Sequence, residues 1–128
     1  MTYYYSKTTR FKFDEAVSRV TQALKEEGFG ILTEIDIKDT LKKKLDVDFR
    51  NYRILGACNP PFAYKALQAE DKVGMMLPCN IIVQETPNGD VEIAAIDPIS
   101  SMKAIDNPEL REIAKTIGQK LKMVIQNA

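Results

Sequence analysis

Two thiols stand in matching local contexts. Cys58 closes Ile54-Leu55-Gly56-Ala57-Cys58-Asn59-Pro60-Pro61, Cys79 follows Met75-Met76-Leu77-Pro78, and each cysteine is succeeded by an asparagine. Cys58 precedes an Asn-Pro helix start, where unpaired amides and aligned peptide dipoles favour a thiolate, which makes it the candidate nucleophile. Cys79 leads into Ile81, Ile82 and Val83, a drier setting that keeps a thiol protonated; it is the candidate resolving or neighbouring thiol. The competing reading makes both cysteines small apolar fillers at strand ends, because unpaired cysteine is among the most buried residue types. The pair lacks the Cys-x-x-Cys spacing of the common redox motif. Histidine is absent from the sequence, which excludes imidazole-based triads and His-ligated metal sites. Two thiolates do not complete a tetrahedral zinc site unless two chains pool four cysteines or an acid such as Asp36 contributes, so no metal or cofactor is expected.

The residues around the thiols supply candidate binding groups. Asn59 has the position of a helix cap, whereas Asn80 starts a strand, where asparagine is disfavoured and a polar contact explains it better. Met75 and Met76 form a soft apolar run that suits a ligand pocket, a core gap or a subunit contact. Glu34 and Asp36, two apart on one strand face, are readable as an acid pair or as solvated carboxylates, with no general-acid partner in view.

The elements that must position these groups follow from periodicity. Alternation over Tyr3 to Thr9 predicts a first strand. Phe13, Val17, Val20 and Leu24 trace one helical stripe, ended by Gly28. Gly30 to Ile37 predicts a strand with Ile31, Ile35 and Ile37 on one face and Glu34 and Asp36 on the other. Asp39 is placed to cap a short helix, Thr40 to Lys44, with Leu41 and Leu45 turned inward. Tyr52 to Cys58 predicts a third strand in which Gly56 marks a bulge or a close approach. Asn59-Pro60 starts a helix to about Ala69 that buries Phe62, Ala63, Ala66 and Leu67. Cys79 to Thr86 and Val91 to Ile96 predict two strands joined through Pro87-Asn88-Gly89-Asp90. Asn107-Pro108 opens a long closing helix. Mixed elements with a hairpin predict an α+β domain, a mainly antiparallel five-stranded sheet with helices on one face.

Composition bounds the rest. A chain of 128 residues, 45% hydrophobic and 28% charged, is one soluble globular domain over residues 1–128. Its 18 basic and 18 acidic residues cancel, so no nucleic acid is expected as a partner. Lys42-Lys43-Lys44 is read as a solvated helix face. No signal-like or membrane-spanning segment is visible, which predicts a cytoplasmic protein with reduced thiols and no membrane partner.

With Glu27-Gly28-Phe29-Gly30, the run Asp36 to Leu45, Tyr52 to Pro60, Leu77-Pro78-Cys79-Asn80 and Asp97-Pro98 in view, the chain resembles domain-of-unknown-function family 302 of bacteria and archaea. The resemblance covers most of the chain. It implies a TATA-binding-protein-like β-α-β4-α fold, without a nucleic-acid function, because fold alone carries none. It also implies a mild link to sulfur chemistry, since some relatives are fused to rhodanese-type sulfur-transfer domains. The sequence as a whole reads as a binding domain for a small ligand or a protein partner near Cys58 and Cys79. The alternatives are a thiol-dependent redox or sulfur-transfer enzyme or carrier using Cys58, and a structural oligomerisation module. A homodimer is expected from the tyrosines of the first strand and from the doubled apolar positions Ile113-Ala114 and Val124-Ile125 of the closing helix.

Overall fold

The computed structural model describes residues 2–128. Alternation at the N-terminus forms β1 (Tyr4–Thr9), and the stripe that follows forms α1 (Phe13–Glu26), closed by Gly28 at a φ of 86°. The chain continues through β2 (Gly30–Asp36), α2 (Ile37–Leu45), β3 (Tyr52–Cys58) and α3 (Pro60–Ala69). A short 3₁₀ helix over Asp71–Met76 then leads to β4 (Cys79–Glu85) and β5 (Val91–Ile96), and α4 (Pro98–Ser101) precedes the closing α5 (Pro108–Asn127). The strands pair in the order β1-β5-β4-β3-β2, each pair antiparallel. Among the described residues no helix is long and apolar enough to cross a membrane.

One face of this sheet builds the core. Val20 and Leu24 of α1, Leu121 and Val124 of α5, and Leu55, Ile81, Val83 and Ile93 of the sheet form a single buried cluster. A smaller cluster, Ala66, Val73, Met102, Leu110 and Ala114, seals the end of the domain where α3, the 3₁₀ helix and α4 meet α5. The result is the predicted α+β class, with helices on one face of an antiparallel sheet.

Four local readings change. The register of β2 against β3 shifts between Ile31 and Thr33, so Ile31 pairs with Ala57 but Thr33 pairs with Gly56. A bulge exchanges the faces beyond it: Glu34 and Asp36 fall opposite Leu55 and Arg53 on the helix side, and Ile35 turns outward. The two carboxylates pair with Arg53 at 3.2 and 3.5 Å, and its guanidinium lies 5.3 Å from the Phe13 ring. They are thus an ion-pair cluster rather than an acid pair. Second, α2 starts earlier than expected, because Asp36 and not Asp39 supplies the cap, accepting from the Asp39 amide at 3.0 Å. Leu45 is 66% exposed instead of turned inward. Third, in the β4–β5 turn only Gly89 takes a positive φ, while the Thr86 amide donates to the Asp90 carbonyl across the neck at 2.7 Å. Fourth, the 3₁₀ helix and α4 are too short to leave a periodic signature; α4 is set by Asp97, which accepts from the Ile99 amide at 3.0 Å.

Gly56 shows why the β2 bulge sits where it does. The Thr33 side chain occupies the space that a Cβ at Gly56 would fill, and Pro78 Cγ would stand 2.7 Å from it. Both approaching groups are stiff. Gly56→Ala is therefore expected to destabilise the fold by about 1–3 kcal/mol through overpacking, measured by urea unfolding. Gly30→Ala, where nothing lies within 4 Å of the new methyl group, is the control and should change stability far less.

Candidate functional site

The β3–β4 ladder brings the two thiols together. Ala57 lies opposite Cys79, so Cys58 is the residue next to Cys79's cross-strand partner. Both cysteines are free. The twenty residues between them fold over this end of the sheet as α3 and the 3₁₀ helix, and a cavity of about 320 Å³ opens beneath. Cys58 and Cys79 stand in its wall with Phe62, Ala66, Leu77 and Ile117. Cys58 is half-buried, and Cys79 is buried. Leu32 and Leu67 give the cavity an apolar rim; both are exposed, although Leu67 was expected on the inner side of its helix. Asn59 is the one amide side chain among the lining residues.

The two thiols differ in environment. Burial, and secondarily the nearby Cys58, push the Cys79 thiol from its ordinary 9.0 up to about 11, so it is a neutral S–H at physiological pH. Cys58 precedes Asn59 and the first turn of α3, as expected. However, Pro60 and Pro61 have no N–H to offer, and the Ala63 amide is already bonded to the Asn59 carbonyl at 2.9 Å. The helix start thus presents far fewer donors to a sulfur than an Asn-Pro signature implies. What distinguishes Cys58 is access.

The other candidates scatter. Asn59 is buried, but its side chain caps nothing: Nδ2 donates to the Glu27 carbonyl at 3.1 Å and holds the end of α1 against the start of α3. Asn107, with the same Asn-Pro signature, does cap its helix, accepting from the Leu110 amide at 3.2 Å. Asn80 faces away from the cavity, opposite Gly56 on the other side of the sheet. Met75 is 79% exposed and Met76 also lies outside, both in a shallow depression next to Asn80; the next residue, Leu77, is the one that reaches the cavity. Asp36 lies at the far end of the β2–β3 ladder, opposite Arg53, whereas Cys58 pairs with Gly30 at the near end. It cannot share a ligand set with the thiols. Sequence reasoning missed Ile113, Ala114 and Ile117 as cavity wall. The doubled apolar pair Ile113-Ala114 was the available signal, and it widens the inward face of α5 rather than marking its surface.

The Cys79 proton has a measurable consequence. In the unfolded chain this thiol ionises near 9.0, and in the folded chain it holds its proton to about 11, so the folded state is progressively disfavoured as pH rises through that interval. The loss should reach about 3 kcal/mol above pH 11. Urea unfolding at pH 8 and pH 11 should show this component in the wild type and lose it in Cys79→Ala.

Comparison with known proteins places the chain. The family model described as "Domain of unknown function DUF302" matches residues 5–128. A solved structure described as an uncharacterized conserved protein DUF302 from Bacillus stearothermophilus is 30% identical, superposes with a TM-score of 0.92, and is matched over 99% of this chain and 98% of its own. No curated protein matches. The sheet, its helices and the span of the match agree: the chain belongs to the DUF302 family.

Proposed function

We propose that the domain binds a small, largely apolar molecule in the cavity beneath α3, with Cys58 and Asn59 as its polar contacts. The observation that carries this reading is the cavity itself, about 320 Å³ walled by aliphatic and aromatic side chains, open at an apolar rim and holding two thiols. That volume falls at the lower end of the range for small-molecule sites, which pair apolar walls with a few placed polar groups. A ligand of one or two fused rings carrying a single hydroxyl or amine fits this chemistry. Because its wall is already apolar, binding requires little desolvation of protein polar groups.

The test uses 2-naphthol, which is fluorescent, apolar and carries one hydroxyl. Saturable binding is expected, and Gly74→Phe should weaken it at least about tenfold, because Gly74 lines the cavity, is exposed, and has only Leu67 Cδ2 near a new Cβ, at 3.9 Å. Unchanged affinity in a folded Gly74→Phe protein, or no binding to the wild type, would overturn the reading.

A thiol-dependent activity is the second reading, favoured by the placement of both sulfurs in one wall. It needs Cys58 as the attacking group, since a protonated Cys79 is a poor nucleophile. Iodoacetamide near neutral pH, followed by peptide mapping, should label Cys58 well before Cys79, and bound 2-naphthol should slow that labelling. Equal rates at the two cysteines, or labelling indifferent to naphthol, would show that Cys58 is not part of the cavity's chemistry.

A further inference from the structure

The second face of the sheet, opposite the helices, carries an apolar band where a solvated face would be polar. Register alone lays out a row across four strands: Ala94 of β5 beside Ile82 of β4, beside Ile54 of β3, beside Ile35 of β2. Ile96 and Tyr4 pair on one side of this row, and Tyr52 stands on the other. An antiparallel sheet with one wet face ordinarily alternates apolar-in and polar-out. Here isoleucine and tyrosine share the outward positions with Ser6, Asn80, Gln84 and Glu92, and Tyr3 and Tyr4, packed edge to face at 5.1 Å, project at one margin with Tyr3 64% exposed. A groove of about 410 Å³ runs between the tyrosine margin and Tyr52, with Ile82 and Ala94 lining it.

Alongside this apolar row, two residues further along each strand, runs a polar one with opposite charges at its ends. Arg50 Nε donates to Gln84 Oε1 at 2.9 Å, and Gln84 Nε2 donates to Glu92 Oε1 at 2.8 Å. The Arg50 guanidinium is held over Phe49 at 4.4 Å and near Tyr52 at 5.5 Å. Cation at the β3 side, amide on the central β4, and carboxylate on β5 make a row that is complementary to its own reverse. A two-fold axis lying in the plane of contact and parallel to β4 exchanges the β3 and β5 sides. It lays Arg50 of one copy over Glu92 of the other, twice, and carries each tyrosine margin over the β2–β3 side of the other copy.

From this self-complementarity we infer that the uncovered sheet face is where two copies of the chain associate, through the Ala94–Ile82–Ile54–Ile35 row and two reciprocal Arg50–Glu92 pairs. The surface expected from sequence is thus relocated. Ala114, Val124 and Ile125 of α5 are consumed by the core of their own chain, while the tyrosines of β1 remain available. An isologous contact needs one patch that matches itself, and this face supplies both the apolar centre and the charge pattern. It leaves the cavity beneath α3 on the opposite side of the sheet, so the two readings stand or fall separately.

The test is a charge swap followed by sedimentation velocity from micromolar to millimolar concentration, with circular dichroism as the fold control. The wild type is expected to dimerise, and Arg50→Glu and Glu92→Arg should each weaken self-association at least about tenfold, because each sets like charges together at both junctions. A mixture of the two single variants should regain a heterodimer of wild-type affinity, since pairing one variant with the other sets a cation against a carboxylate at both junctions. Ile82→Lys, in the centre of the row, should abolish the dimer without unfolding the chain. A wild type that remains monomeric throughout, a dimer indifferent to these substitutions, or a mixture no tighter than its components would overturn the inference.

Discussion

The register that sets Ala57 opposite Cys79 governs the arrangement of the whole domain end. Twenty residues leave the sheet at Cys58 and return at Cys79, and because β3 and β4 are antiparallel neighbours the two ends of that excursion are fixed side by side. The excursion must lie over the helix-side face, since α3 and the 3₁₀ helix can bury Ala66 and Val73 only against α5 and α4. A cavity results because the roof is short and made of small residues: Ala63 and Ala66 of α3 and Gly74 face a wall of Ile113, Ala114 and Ile117. Shift the register by one residue and every β4 side chain would change face, carrying Cys79 out of the cavity and Asn80 into it.

The same register holds because Gly56 admits its neighbours. Thr33 from one side and Pro78 from the other fill the place of a side chain at Gly56, so the three strands interlock at a single point. The bulge in β2 lies directly across from it. Its cost is one irregular pair in the ladder; its effect reaches further, because beyond it Ile35 joins the outer face and completes a continuous apolar row. The outer face and the cavity therefore share a cause in the packing around Gly56, although they lie on opposite sides of the sheet.

Much of this is legible in the sequence, and the failures have physical reasons. Periodicity places β3, α3 and β5 at the residues where they occur, and β4 differs only in ending at Glu85 instead of Thr86, because alternation and Asn-Pro starts are local signals. The proximity of the thiols follows from antiparallel pairing. The face assignment in β2 fails because period-2 reading assumes an uninterrupted strand, and Leu32 at the bulge looks like any other apolar residue. Asn59 reads as a cap because it precedes a proline just as Asn107 does, but a tertiary partner, the Glu27 carbonyl, takes its side chain instead. Met75 and Met76 look like pocket lining because the sequence marks an apolar run without saying which way a 3₁₀ helix will turn it. The doubled pair Ile113-Ala114 marks a widened inward face of α5, but what that face meets is set by long-range packing, which puts Ile117 and Cys79 in one cavity wall.

The contrast between the two cysteines then comes from packing rather than from helix electrostatics. Cys79 points into the core cluster with Leu55 and Ile81, where ionisation would leave a charge without water or a partner. Cys58 lies at the last position of β3, where the chain is already turning into α3, and it keeps partial contact with the cavity space and with solvent. Two prolines at the helix start remove donors that would otherwise stabilise a thiolate there, and their fixed φ makes the turn from strand to helix rigid. The arrangement gives Cys58 a sulfur that is reachable and held in place. The two sulfurs therefore differ in what can reach them, Cys79 closed in by the core and Cys58 left partly open to the cavity.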